Sequence, residues 1–77
     1  MTDIDATGLT CPMPVLRLQK ALRDMATGAR ATLLASDPMA AIDVPHFLNE
    51  NGHRLISQSQ ADGPSDMQIL RFEIEKG

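Results

Sequence analysis

The one cysteine of the chain begins a proline-rich motif, Cys11-Pro12-Met13-Pro14. Proline is favoured in the first turn of a helix, so the motif predicts a helix that begins at Pro12, with Cys11 in the capping position. Since neither proline has a backbone N–H, we expect the N–H of Met13 to point at the sulfur. That hydrogen bond and the positive end of the helix dipole both favour the thiolate, so the motif predicts a lowered thiol pKa and a nucleophilic cysteine.

An inert core residue is the alternative interpretation of Cys11. Free cysteine is among the residue types that are most often buried, and a buried thiol is commonly unreactive. Burial alone does not require two prolines at the start of a helix, which favours the reactive thiol. The motif supports reactivity and does not specify a reaction.

The composition argues against several other kinds of site. A single cysteine leaves no intramolecular disulfide and no Cys-x-x-Cys pair. A net charge of −3, with two Phe and no Trp or Tyr, argues against autonomous nucleic-acid binding. His46 and His53 are too few and too far apart to predict a metal site, and no nucleotide-binding motif is present. We therefore expect no cofactor, no metal and no direct nucleic-acid ligand.

The length of 77 residues predicts a single small domain that covers residues 1–77. The N-terminal segment is acidic and has no apolar stretch of signal-peptide length. Nor does the chain contain a run of about 18 apolar residues, the length that a membrane-spanning helix needs. These features predict a cytoplasmic protein without membrane contact. Because the chain has one cysteine, any second thiol in a reaction must come from a partner.

Periodic patterns predict four strands and two helices around the motif. Strands are expected at 3–6, 30–36, 54–60 and 67–76, and helices at 12–26 and 38–50. Gly8 turns the chain from the first strand into the first helix. Pro45 falls inside the second helix, where it predicts a kink or a restart after Asp43. Both helices need one sheet face to cover their apolar sides, so we predict an α/β (α+β) two-layer sandwich of order βαβαββ, with two helices on one face of a mixed four-stranded sheet.

Apolar positions on these elements define the predicted core. The first helix has an apolar stripe at Val15, Leu18, Ala21, Leu22 and Met25. The second helix, capped by Ser36 or Asp37, offers Ile42, Phe47 and Leu48. The last strand places Leu70, Phe72 and Ile74 on one face. The nearly continuous apolar run in 30–36 predicts a central strand.

A surface of the first helix next to the motif combines apolar and basic side chains. We call it the basic surface, and it consists of Met13, Leu16, Arg17, Lys20 and Arg23. It holds three of the seven basic residues of a net acidic chain, with Asp24 at its edge. Such a face can be merely the solvated side of a helix. Its position beside Cys11 favours the docking of an acidic partner.

The segment 5–16, in which C-P-x-P follows Gly8-Leu9, resembles the signature of the TusA/SirA-like family of sulfur-carrier proteins. The resemblance extends over nearly the whole chain, through Gly28, Ser36-Asp37-Pro38, residues 43–47 and Gly52-His53. It implies a βαβαββ sandwich in which Cys11 accepts a sulfane sulfur as a persulfide and hands it to another protein. Gly8, Pro12 and Pro14 match the turn glycine and the prolines of the family motif.

The resemblance also implies partners and a sulfurtransferase role. The donor would be a protein of the cysteine desulfurase or rhodanese type, and the acceptor a downstream protein in tRNA thiolation, sulfur oxidation or cofactor synthesis. Thiolate attack on a persulfide needs no electron sink in this chain, so the carrier itself would need no cofactor. We expect it to be a monomer.

Two other functions remain open from the sequence. The chain can be a non-catalytic regulatory or protein-interaction domain that uses the basic surface, and protection of Cys11 from alkylation would favour this function. It can also be a thiol redox sensor. A stable sulfenic acid or mixed disulfide, without sulfur transfer from persulfidated donors, would favour the sensor.

Overall fold

The computed structural model describes residues 2–10, 12–62 and 68–77, so Cys11 and Met67 lie outside the described residues. The elements are β1 (Thr2–Ala6), α1 (Met13–Arg23), β2 (Arg30–Ala35), α2 (Ala40–Glu50), β3 (Arg54–Asp62) and β4 (Gln68–Glu75). The sheet order is β1-β2-β4-β3, with β1 parallel to β2 and the other two pairs antiparallel. The predicted order βαβαββ, the mixed four-stranded sheet and the central position of β2 are confirmed.

The buried sheet face follows from the alternation of side chains along the strands. Ile4, Leu33 and Phe72 lie side by side across β1, β2 and β4, and all three are buried. Leu70 and Ile74 lie on the same face as Phe72 and are buried too, as the sequence predicts. The inner sides of both helices join this core, which confirms the two-layer sandwich.

The inner side of α1 matches the predicted stripe, but the helix is shorter than predicted. Leu18 and Leu22 are buried, while Val15, Ala21 and Met25 are half-buried against the core. The helix ends at Arg23 instead of Ala26. The Leu22 carbonyl accepts the Met25 N–H at 3.1 Å and the Lys76 ammonium at 2.7 Å, so its hydrogen bonds are made without a further turn of helix.

The inner side of α2 differs from the prediction. The helix begins at Ala40, runs continuously through Pro45 and ends before Gly52, whose φ is 73°. Its buried residues are Ala40, Val44 and Leu48, and Phe47 is half-buried. The prediction that Ile42 contacts the core is wrong, because Ile42 is 65% exposed. At about 100° per residue, Ile42 points roughly opposite to the face on which these buried residues repeat every four positions.

Candidate functional site

Hydrogen bonds hold the chain between β1 and the motif at two points. The Gly8 N–H donates to the Ser36 hydroxyl at 2.7 Å, which ties this loop to the loop that precedes α2. Ser36 is thus an acceptor for the motif loop, whereas the Asp37 carboxylate accepts the Met39 N–H at 2.9 Å just before α2 begins. Gly8 has a φ of 79°, a conformation that favours glycine, in agreement with its predicted role as the turn residue.

The second point lies just before Gly8, where the end of β1 continues into the loop. The Asp5 carboxylate accepts the Thr7 hydroxyl at 2.6 Å and the Thr7 N–H at 3.0 Å. These two hydrogen bonds, in that order of importance, hold the pKa of Asp5 below its usual range, and the positive charge of Arg17 adds to the effect. An ionised Asp5 therefore fixes the backbone that leads into the motif.

The start of α1 differs from the prediction in two respects. The capping position is held by Pro12 and not by Cys11, with Pro14 buried in the first turn. The Met13 N–H donates to the Thr10 carbonyl at 2.9 Å, so the expectation that it points at the sulfur is wrong. The reason is local: this hydrogen bond closes a tight turn between Thr10 and Met13, and the first helical bond then runs from the Leu16 N–H to the Pro12 carbonyl at 3.1 Å.

The residues on either side of Cys11 are exposed to solvent, and the first turn of α1 contains no negative charge. Thr10 and Pro12, the two neighbours of Cys11 in the chain, are both exposed. The first turn of α1 has no acidic residue, and the last turn has Lys20 and Arg23. This distribution leaves the positive end of the α1 dipole beside the motif without a carboxylate in that turn to neutralise it.

The five residues of the basic surface are all exposed. Met13 is 42% exposed and Leu16 is 47% exposed, so the surface has an apolar part next to the motif. Along β1, however, Arg17 and Lys20 line a shallow groove together with Asp3, Asp5 and Asp24. The positive charge is therefore partly balanced on the β1 side, a feature that the helical pattern alone does not show.

A groove on the other side of the motif was missed by the sequence analysis. It lies between α1 and α2, and its lining residues are Pro12, Val15, Asp43, His46, Phe47 and Glu50. The His46 Nε2 atom lies 3.0 Å from a carboxylate oxygen of Glu50. The four α2 residues are spaced by three, one and three positions, a helical spacing that places them on one side. That spacing was visible in the sequence, but the contact with Pro12 and Val15 depends on how the helices pack.

Large exposed apolar side chains occur in two places in the described part of the chain. Met13 and Leu16 belong to the basic surface, while Met39 and Ile42 lie at the start of α2. Among the described residues, no three acidic, histidine or cysteine side chains are arranged to hold a metal ion. Neither described helix has the length and apolar character needed to cross a membrane.

Comparisons with known proteins agree with this arrangement. The family described as "Sulfurtransferase TusA" matches residues 2–76, which include the motif. The sulfur carrier protein TusA of Pseudomonas putida is 42% identical over 60 residues, which cover 78% of this chain and 75% of that protein. The TusA of Pseudomonas aeruginosa shows the same identity over 60 residues, with 78% and 76% coverage. A crystal structure of a SirA-like protein from Desulfitobacterium hafniense has a TM-score of 0.77, with 24% identity, and covers 100% of this chain and 99% of that one.

Proposed function

Because this chain belongs to the TusA family of sulfur carriers, we propose that Cys11 accepts a sulfane sulfur as a persulfide and relays it to another protein. The observation that carries the proposal is the place of the only thiol. It follows a doubly anchored loop and directly precedes the positive end of α1, between two exposed neighbours. A helix start of this kind favours a reactive thiolate.

The chemistry consists of two exchange steps. The Cys11 thiolate attacks the terminal sulfur of a donor persulfide, the sulfur–sulfur bond of the donor breaks, and its electron pair leaves with the donor thiolate. An acceptor thiolate then attacks the terminal sulfur of the Cys11 persulfide, and the Cys11 thiolate leaves. Each step forms one sulfur–sulfur bond and breaks one. No external electron acceptor is needed, so the chain requires no resident cofactor.

The motif residues act by positioning. Gly8 supplies the left-handed turn and the N–H that ties the loop to Ser36. Pro12 and Pro14 fix backbone dihedral angles at the start of α1, which restricts the backbone that directly follows Cys11. Met13 closes the turn with Thr10 through its N–H and offers an exposed side chain to a partner.

Partners are expected on both sides of the transfer. The donor is a protein of the cysteine desulfurase or rhodanese type, and the acceptor is a downstream protein of tRNA thiolation, sulfur oxidation or cofactor synthesis. Met13, Leu16, Arg17, Lys20 and Arg23 form the docking surface for an acidic partner, since they are exposed and adjoin the motif. The chain works as a cytoplasmic monomer and completes a sulfurtransferase cycle only when both partners are present.

Mass spectrometry of the intact protein tests the proposal. After incubation with a persulfidated desulfurase or rhodanese, the protein should gain the mass of one sulfur atom, and reductant should remove it. The Cys11→Ser variant should gain none. Equal labelling of that variant would place the chemistry elsewhere. Formation of a sulfenic acid with peroxide, without any gain of sulfur from the donors, would instead identify a redox sensor.

A further inference from the structure

The groove between α1 and α2 has a chemistry opposite to that of the basic surface. Val15 and Phe47 are half-buried and form the apolar part of the groove. Pro12 also lines it, so the groove extends to the residue that directly follows Cys11. The charged groups at the groove are the carboxylates of Asp43 and Glu50, with the His46 imidazole beside Glu50. The lining of the groove therefore contains carboxylates and no lysine or arginine.

Helix stability accounts for only one of these two carboxylates. Asp43 lies in the first turn of α2, where a negative charge interacts favourably with the helix dipole. Glu50 is the last residue of α2, where a negative charge is unfavourable, and the last turn contains no basic residue. The side chain of Glu50 is 61% exposed and that of His46 is 70% exposed, so their contact is a surface contact of small energetic value.

We propose that this groove binds a segment of a partner protein in which a lysine or arginine side chain stands beside an apolar one. The apolar side chain contacts Val15 and Phe47, and the cation lies against the exposed carboxylate of Glu50. The inference deepens the proposed function, because it assigns a second docking surface to the sulfur carrier. An acidic partner fits the basic surface on one side of the motif, and a cationic partner fits the groove on the other. The two exchange steps would thus use chemically different partners at the same thiol.

Two synthetic pentapeptides test the groove without any sulfur chemistry. The cationic probe is acetyl-Gly-Leu-Arg-Phe-Gly-amide, and the acidic control has Glu in place of Arg. Each is titrated into the isotope-labelled protein, and backbone amide shifts are followed by NMR. We expect the cationic probe to shift the amides of Val15, His46, Phe47 and Glu50. It should bind about threefold or more tightly than the acidic control, since an attractive charge pair at the exposed Glu50 becomes a repulsive one.

Charge-matched variants assign the effect to the groove. Glu50→Gln alone and together with Asp43→Asn should each weaken binding of the cationic probe, and the single variant keeps the favourable charge at the start of α2. The control Asp3→Asn with Asp24→Asn removes the same charge at exposed sites outside the groove and should leave binding unchanged. Amide spectra of all variants report whether they are folded.

Several results would overturn the inference. These are the absence of shifts at the groove, equal binding of the two probes, or equal weakening by the control variant. Groove shifts that depend on protein concentration without peptide would identify a second copy of this chain as the occupant, and would also contradict it. A protein that binds the cationic probe but gains no sulfur at Cys11 would refute the proposed function alone. The converse result would refute the groove alone.

Discussion

Replacing Gly8 with alanine should lower stability moderately and slow the chemistry at Cys11. The Gly8 φ of 79° is unfavourable for any residue with a Cβ, by about 1–2 kcal/mol. A Cβ at this position meets nothing within 4 Å, so no steric clash adds to that cost. Alanine also restricts the unfolded chain, which offsets about 0.4–1 kcal/mol of the loss. The net loss in the free energy of unfolding is therefore about 1 kcal/mol, or a Tm lower by about 4–8 °C for a domain of this size.

Gly28 provides a matched control for Gly8→Ala. Its φ is 89°, a Cβ there also meets nothing within 4 Å, and its N–H donates one hydrogen bond, to the Lys76 carbonyl at 2.8 Å. The Gly28→Ala variant should lose a similar amount of stability, because the backbone penalty is the same. Only Gly8→Ala should slow alkylation and sulfur transfer, because Gly8 holds the motif loop against Ser36.

Two assays are needed: chemical denaturation for stability, and the rate at which the folded protein reacts with iodoacetamide and with a persulfidated donor. A neutral Gly8→Ala variant would refute the assignment of strain to this turn. Equal slowing by Gly28→Ala would show that the motif loop has no special part in presenting the thiol. A Gly8→Asn variant should be intermediate in stability, because asparagine tolerates the left-handed region better than alanine.

Three further predictions concern charge. The pKa of the Cys11 thiol should lie below the ordinary value of a cysteine, because the positive end of α1 has no carboxylate in its first turn, and the pH dependence of alkylation measures it. Arg17→Gln with Lys20→Gln should slow transfer from an acidic donor protein several-fold, with alkylation unchanged. Burial, and then the charge of Lys76, lower the pKa of His53, whose Nδ1 atom accepts the Gly77 N–H at 3.0 Å. The unfolded chain therefore binds a proton at this histidine more readily than the folded protein does. The free energy of unfolding should keep its full value above the ordinary histidine pKa and fall as the pH decreases through it.

Each of these predictions has a control and a result that would contradict it. A Cys11 pKa at or above the ordinary value would show that the helix start does not activate the thiol. Arg30→Gln with Arg54→Gln removes the same charge at exposed positions away from the motif. If this variant slows sulfur transfer equally, the net charge of the protein and not the position of the basic surface determines the rate. In a His53→Gln variant, the loss of stability between about pH 7.5 and about pH 5 should be smaller than in the original protein. An unchanged loss would place the acid sensitivity elsewhere.

The sequence predicted those features of the fold that depend on local pattern. The continuous apolar run of β2 indicated a central strand, and the alternation in β4 indicated which of its faces is buried. Gly8 was identified as the turn residue, because few other residues permit a positive φ there.

The errors arose where a contact distant in sequence, or the phase of a helix, decides the outcome. A carbonyl at the end of α1, that of Leu22, accepts the ammonium of Lys76, which is far away in the chain. The exposure of Ile42 depends on which side of α2 packs against the core, and that side carries Ala40, Val44 and Leu48. The direction of the Met13 N–H is set by the tight turn that begins at Thr10, and the α1–α2 groove exists only once the two helices are packed.

A labelled-sulfur relay tests the central claim that Cys11 carries sulfur between proteins. The carrier is loaded from a donor persulfide that contains a heavy sulfur isotope, separated from the donor, and mixed with an acceptor protein that has a reactive thiol. Mass spectrometry should show one heavy sulfur on the peptide that contains Cys11, followed by its loss from that peptide and its appearance on the acceptor. Labelled sulfur that reaches the acceptor equally well through the Cys11→Ser variant, or that never leaves Cys11, would contradict the account.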